Sequence, residues 1–259
     1  MCVIVIASLG RPSAAMIDAC YQANAEGAGI AWRDPDDPTL VRWEKGLDLH
    51  EIQDLAATLP LPYIAHFRIA SVGGGSKKLC HPFEVSEDSS PEMSGATKNP
   101  LLFHNGTWTE WRRTMFETVY KMGVKVPNGR WSDSRAMAWL GAIFGTALYD
   151  IIDEKVATIS PEKLEVFGQG WVVVPGVGAA SNSGWQGRMK GASPSRLIEP
   201  NQPEPEEASA IVPFDPKTSP FEMATELYAK GEISRKQFRK AHHFHLERLK
   251  DPASQPTTH

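Results

Sequence analysis

The sequence predicts a mixed α and β protein, and three observations carry that prediction. Runs rich in β-branched residues, beginning with VIVI at 3–6, alternate with runs whose apolar residues recur at helical spacing. Turn-forming stretches such as DPDDP at 34–38 separate them. The chain has 259 residues, 41% hydrophobic and 22% charged, ordinary for a globular protein and enough for one large domain or one domain with appendages.

Residues 2–8 read as a strand. SAAMIDACYQANA at 13–25 reads as a helix with Ser13 as N-cap. EGAGIAWRD at 26–34 and TLVRWEKG at 39–46 read as a strand hairpin. DLHEIQDLAATL at 48–59 has apolar residues at 49, 52, 55, 56 and 59, so it reads as a helix capped by Asp48. PYIAHFRIAS at 62–71 is a strand and VGGGSKK a loop. PFEVS at 82–86 is a short strand, followed by a polar loop to Pro100. LLFHNGTW at 101–108 is a strand ending in a turn. TEWRRTMFETVYKMG and SDSRAMAWLGAIFG read as helices, and AMAWLGAIFGTALYDII as a buried helix interrupted by Gly141 and Gly145. LEVFGQGWVVVPG supplies late strands. Trp108, Trp111, Trp131 and Trp139 read as core or pocket wall.

After about residue 180 the composition changes. Residues 181–220 are rich in Gly, Ser, Pro and Glu and read as a low-complexity linker. Helix formers return at 221–250, broken by Gly231 and restarted by Ser234, which predicts a short helical hairpin; 251–259 read as a disordered tail. Leu227, Gly231, Ile233, Ser234, Phe238 and Lys240 resemble small C-terminal helical modules that mediate self-association or partner contacts. A solvated hairpin is the competing reading, because the apolar stripe is narrow. His242, His243 and His245 read as a solvated helix end rather than a metal site.

The balance of charge is −4, which leaves no overall electrostatic footprint for nucleic acid. No stretch approaches the ~18 apolar residues of a membrane span. The apolar run at 3–8 is short and has no basic residue before it, unlike a secretory signal. Cys2, Cys20 and Cys80 form no CxxC pair, so neither a zinc site nor a disulfide framework is indicated, and a reducing cytoplasm is the expected compartment.

Five stretches carry candidate chemistry. Cys2 follows Met1 directly; it is either the first core residue of a strand or, once Met1 is removed, a thiol nucleophile with its own α-amine as base. Arg68 in HFRIAS pairs with a surface acid, or clamps a carboxylate through a two-toothed hydrogen bond. His81 in LCHPF is structural or lines a site. Asn105-Gly106 predicts a hairpin turn, or an oxyanion hole made from an amide side chain and a backbone N–H. In SDSRAMA, Ser132 or Asp133 caps a helix, or Asp133 accepts a substrate ammonium.

The order Cys2, YQANAEGAGIAW, HFRIAS, CHPF, FHNGTW, SDSRA resembles the glutaminase domain of class II glutamine amidotransferases, a branch of the N-terminal-nucleophile hydrolases. The resemblance covers roughly residues 2–175. It implies a domain at 2–180 with a four-layer αββα sandwich, two mostly antiparallel sheets between outer helices. It implies Cys2 as nucleophile, Asn105 and Gly106 as the oxyanion pair, and Arg68 and Asp133 as the grips on the α-carboxylate and α-amine of glutamine. Ser71 falls beside them as a substrate-binding position, and no cofactor or metal is implied. The chain departs from the family at Ile69, where several members carry an aromatic residue. It also departs at Ser71-Val72-Gly73, where many read Thr-His-Gly.

The implied function is glutamine hydrolysis through a Cys2 thioester, giving glutamate and ammonia. No synthase follows in the chain, so the expected acceptor sits on a separate ligase or synthetase subunit. A stand-alone hydrolase of γ-glutamyl amides is the alternative, and a catalytically silent interaction module is the third reading.

Overall fold

The computed structural model describes residues 2–69 and 76–189. Ser71, positions 190–220 of the expected linker, the expected helical module at 221–250 and the tail at 251–259 lie outside the described residues. The described residues fall into two compact units: 109–129 belong to the smaller, and all others to the larger.

The larger unit contains two antiparallel sheets. Strands β1 (Val3–Ala7), β2 (Ala28–Arg33), β3 (Val41–Leu47) and β4 (Tyr63–Phe67) form the centre of the first. The second contains β5 (Phe83–Glu84), β7 (Leu101–Asn105), β8 (Lys155–Ile159) and β9 (Leu164–Phe167), in the order β5-β7-β8-β9. With β6 (Ser94–Thr97), β10 (Val172–Val174) and β11 (Gly178–Ala180), the first sheet has seven strands in the order β10-β11-β1-β4-β2-β3-β6.

Period-2 alternation sorts these strands into two faces. Val3, Val5 and Ala7 of β1, with Ala65 and Phe67 of β4 and Ile30 of β2, pack against Met16, Ile17 and Ile52. Those last three lie on helices α1 (Ala14–Ala23) and α2 (Leu49–Thr58). The opposite face carries Ile4, Ile6, Ala31, Trp43 and Ile64, which meet Leu101, Phe103, Ala157 and Ile159 of the second sheet. The far side of that second sheet buries Leu102 and Val156 against Met137, Ala138 and Tyr149. Met137 and Ala138 lie on α4 (Asp133–Phe144), and Tyr149 on α5 (Ala147–Ile152). The layers of this unit therefore run helices, sheet, sheet, helices. Among the described residues no helix is long and apolar enough to cross a membrane.

Local chemistry explains the helix starts. Ser13 Oγ accepts the Met16 N–H, and Asp48 and Glu51 form a reciprocal capping box. Ser132 Oγ caps α4 by accepting the Arg135 N–H. The smaller unit holds α3 (Trp111–Met122), closed by Gly123 in the left-handed region at φ +68° and bearing a Glu117–Lys121 ion pair of 3.1 Å.

Three sequence expectations need correction. The run 136–152 is not one buried helix: α4 stops at Phe144, Gly145 takes φ +76°, and Ile151 is 81% exposed on α5. Gly141 lets the two helices meet, since a Cβ there would lie 1.9 Å from Tyr149 Oη. Strand β4 ends at Phe67 rather than running to Ser71, although Arg68 N–H still donates to Gly27 O at 2.9 Å. Position 181 does not begin a linker, because Ser181 and Trp185 are buried and α6 (Gln186–Met189) follows. Strands β6, β8 and β11 were not expected either.

Candidate functional site

Register places the chemistry at one end of the seven-stranded sheet. On the face turned toward the second sheet, Ile6, Ile64, Ala31 and Trp43 stand in one cross-strand row. The next row is Ile4, His66, Gly29 and Lys45, extended at its edge by Ser181, whose N–H donates to Ile4 O. Beyond that lie Arg68 and Cys2, since Phe67 is paired with Val3. The face becomes polar row by row toward the start of β1, yet Lys45, His66 and Arg68 all remain buried.

Cys2 is half-buried just ahead of β1. Its Sγ donates to Ile69 O at 3.3 Å and accepts the Ile69 N–H at 3.4 Å. Burial pushes its thiol above the ordinary range, while the Ile69 N–H and the Arg68 guanidinium pull the other way. Asn182 Nδ2 donates to Cys2 O at 2.8 Å. The backbone that carries the thiol is thus held on two sides.

His81 packs beside this row. Its ring centroid is 4.0 Å from that of His66, and Phe83 meets it edge-on at 5.2 Å. Gly29 makes the approach possible, because a Cβ there would lie 1.9 Å from His81 O. Burial, reinforced by Arg68 and the neighbouring imidazoles, lowers His66 to about 3 and His81 well below its ordinary value. Both rings are therefore neutral near pH 7, and among the described residues both ring nitrogens of His81 lack a hydrogen-bond partner. Lys45 is lowered to about 8 by burial; its Nζ donates to Pro82 O at 3.2 Å and lies 4.7 Å from the centre of the Phe83 ring.

The turn after β7 is pinned residue by residue. Asn105 Nδ2 donates to Ser181 Oγ at 2.8 Å. Gly106 is wedged against the Glu154 side chain just ahead of β8: a Cβ there would lie 1.9 Å from Glu154 Oε2 and 3.0 Å from His104 Nε2. The Thr107 N–H donates to the Glu154 carboxylate, and the Trp108 N–H donates to Asp133 Oδ2 at 3.1 Å. Burial raises the Glu154 carboxyl above its ordinary range, with Asp133 and Asp153 adding to the rise.

Asp133 opens α4, where the helix dipole favours a carboxylate. Its Oδ1 accepts the Ser134 N–H at 2.9 Å, and Oδ2 lies 4.0 Å from His104 Nδ1. The buried His104 Nδ1 is also 3.0 Å from Ser134 Oγ. A carboxylate has about four lone-pair sites, so two N–H donors leave Asp133 capacity for another.

The sequence-predicted residues divide as follows. Cys2 and Arg68 stand at the same sheet end, with His81 packed against His66 of the adjoining row. Asn105, Gly106 and Asp133 share the turn network, and Ser181-Asn182 joins the two groups through Asn105 and Cys2 O. Ser71 lies outside the described residues. Sequence reasoning missed Lys45, His66, His104, Glu154, Ser181 and Asn182. His66 had a signal, being a polar residue inside an otherwise apolar strand run, whereas Lys45 was masked by Arg42 and Glu44 in its own run. Ser181 and Asn182 had none, since Ser-Asn in a Gly/Ser-rich stretch reads as loop. Among the described residues no group of three or more His, Cys, Asp or Glu stands placed to hold a metal ion. No family model matches the chain, and no curated protein matches its sequence.

Proposed function

We propose that this chain hydrolyses the side-chain amide of L-glutamine through Cys2 after loss of Met1, giving glutamate and ammonia. The reading assigns the larger unit to the N-terminal-nucleophile hydrolase type and the chemistry to the class II glutamine amidotransferases. The observation that carries it is the join between thiol and turn: Asn182 holds Cys2 O, and its neighbour Ser181 holds the Asn105 amide.

The α-amine of a processed Cys2, with an ordinary pKa of roughly 7.7–8.0, relays the thiol proton near neutrality. The thiolate attacks the amide carbon, and the Asn105 amide with the Gly106 N–H receives the developing oxyanion. Loss of one such donor costs about 100- to 1,000-fold in rate. The relayed proton goes to the leaving nitrogen, ammonia departs, and a γ-glutamyl thioester remains on Cys2. Water then attacks the thioester, releasing glutamate and returning the thiol. Arg68 and Asp133 grip the α-carboxylate and α-ammonium, which holds the amide in near-attack geometry. The ammonia passes to an acceptor on a separate ligase or synthetase subunit in the cytoplasm.

Ile69 favours a second reading. It touches the thiol through its backbone, is 39% exposed, and stands where several amidotransferases carry an aromatic ring. An exposed apolar residue whose backbone touches the nucleophile suits a γ-glutamyl amide with an apolar leaving group.

The test is glutamate and ammonia release from L-glutamine by wild type and Cys2→Ala, with intact mass recorded for both. Loss of Met1 together with release that vanishes in Cys2→Ala supports the glutaminase. A mature Cys2 without release, alone or with candidate acceptor subunits, turns the assignment to γ-glutamyl amides. Retained Met1 and no amide cleavage leave Cys2 as the first residue of the core and defeat both.

A further inference from the structure

Ser181 is fully buried and bound through three of its groups. Its N–H donates to Ile4 O at 2.9 Å, and its carbonyl accepts Lys155 Nζ at 2.5 Å. Its hydroxyl oxygen accepts the Ile4 N–H at 2.9 Å and the Asn105 Nδ2–H at 2.8 Å. Ile4 lies two residues from Cys2 on the same strand run, and Lys155 stands directly opposite Asn105 in the β7–β8 ladder. One hydroxyl therefore touches both the strand that carries the thiol and the amide of the turn.

We propose that Ser181 is a positioning residue whose hydroxyl aims the Asn105 amide relative to Cys2. This rests on the reading of Asn105 as an oxyanion donor. An amide group is rigid and planar with two N–H donors. Holding one of them on an immobilised oxygen fixes the direction of the other. Because Ser181 is itself bound to Ile4 and Lys155, the second N–H keeps its direction as charge develops, which is what preorganised stabilisation requires.

The experiment uses the full chain as wild type, Ser181→Ala, Ser181→Thr, Asn105→Ala and the Ser181→Ala/Asn105→Ala double variant. Two readouts are taken: hydrogen exchange of the Asn105 side-chain amide by NMR, and kcat and KM for L-glutamine. Ser181→Ala should speed exchange at Asn105. It should lower kcat about 10- to 100-fold, less than the ~100- to 1,000-fold loss for a donor removed outright, with KM little changed. Ser181→Thr keeps the hydroxyl and should restore both. In the Asn105→Ala background, Ser181→Ala should cost nothing further.

Unchanged Asn105 exchange in Ser181→Ala overturns the proposal, as does an equal kcat loss with and without the Asn105 amide. If Ser181→Ala fails to fold, Ser181→Cys, a weak acceptor of similar size, takes its place with intermediate effects expected. If the wild type does not turn over glutamine, alone or with candidate acceptor subunits, exchange alone decides. Faster exchange then upholds the Ser181–Asn105 coupling while the glutaminase reading falls; unchanged exchange defeats the coupling.

Discussion

The two faces of the seven-stranded sheet are made by the same strands and obey different rules. On β1, β2 and β4 the face under α1 and α2 is apolar, from Ala7 and Tyr63 at one end to Val3 and Phe67 at the other, and charge enters it only at Arg42 and Glu44 of β3. The face turned to the second sheet starts apolar at Ile6 and Ile64, then changes through His66 and Lys45 to Arg68. Both are buried. Burial alone therefore does not distinguish a stabilising surface from a reactive one. What differs is whether polar groups are carried inside, where each unpaired one costs roughly 1–3 kcal/mol. The helix-covered face supplies stability, and the graded face holds the thiol end of the chain among cations and neutral imidazoles.

The comparison breaks most sharply at Phe67. It is fully buried on the helix side, one residue before Arg68 on the other. Phe67→Ala should cost about 3–5 kcal/mol, read from urea unfolding with unchanged slope. A much smaller loss would mean that this face is not the stabilising one. On the graded side, Gly106→Ala should act on rate. Its methyl would meet the Glu154 carboxylate, which must give up the Thr107 N–H that pins the turn to make room, lowering glutamine turnover by about 100-fold while the fold persists. Turnover near wild type would remove Gly106 from the oxyanion assignment.

A smaller effect of opposite sign is expected at His81. Both of its ring nitrogens are buried and have no partner among the described residues, so His81→Leu should raise stability by roughly 1–3 kcal/mol. Destabilisation of that size would show that the nitrogens are satisfied in solution.

The same residue sets a pH signature. His66 at about 3 and His81 well below its usual value are depressed from an unfolded value near 6.5. The unfolded chain binds more protons in that interval. Stability is complete above about pH 6.5 and is lost as pH falls toward about 3. Between about pH 6.5 and 5, before most carboxylates titrate, unfolding free energy should slope downward in wild type and more shallowly in His81→Leu. Equal slopes would place His81 outside the titrating set. The smallest effect lies back under the helices: Asp48→Ala removes the capping box of α2 and should cost about 1 kcal/mol. No change there would mean that packing alone holds the helix start.

Legibility followed the same division. Val3–Ala7 and the α2 run Leu49–Thr58 were readable because their signals are local, a β-branched run in one and helical spacing with a cap in the other. The strands β6 and β11 were not, since SGAT and GAA have little β-branched content and are strands only because β3 and β1 offer them hydrogen bonds. The break at Gly145 was misread because a glycine inside a helical run is tolerated as often as it terminates one. Arg68, Asn105 and Asp133 stood out as residue types, whereas Glu154 and Ser181 became visible only through what they touch.

The sequence by itself determined the alternation of strands and helices, the caps at Ser13 and Asp48, and a set of chemically capable side chains in a telling order. Each of these depends on neighbours within a few positions along the chain. Only the tertiary structure decided that Lys45, His66 and Ser181 share one row, that Glu154 fills the space a side chain at 106 would need, and that residue 181 lies inside the fold. Those outcomes depend on cross-strand register and on contacts across many residues of sequence, such as the 76 between Asn105 and Ser181. Hydrogen-bond pairing and the exclusion of overlapping atoms set them in space, and no local pattern of polarity encodes either.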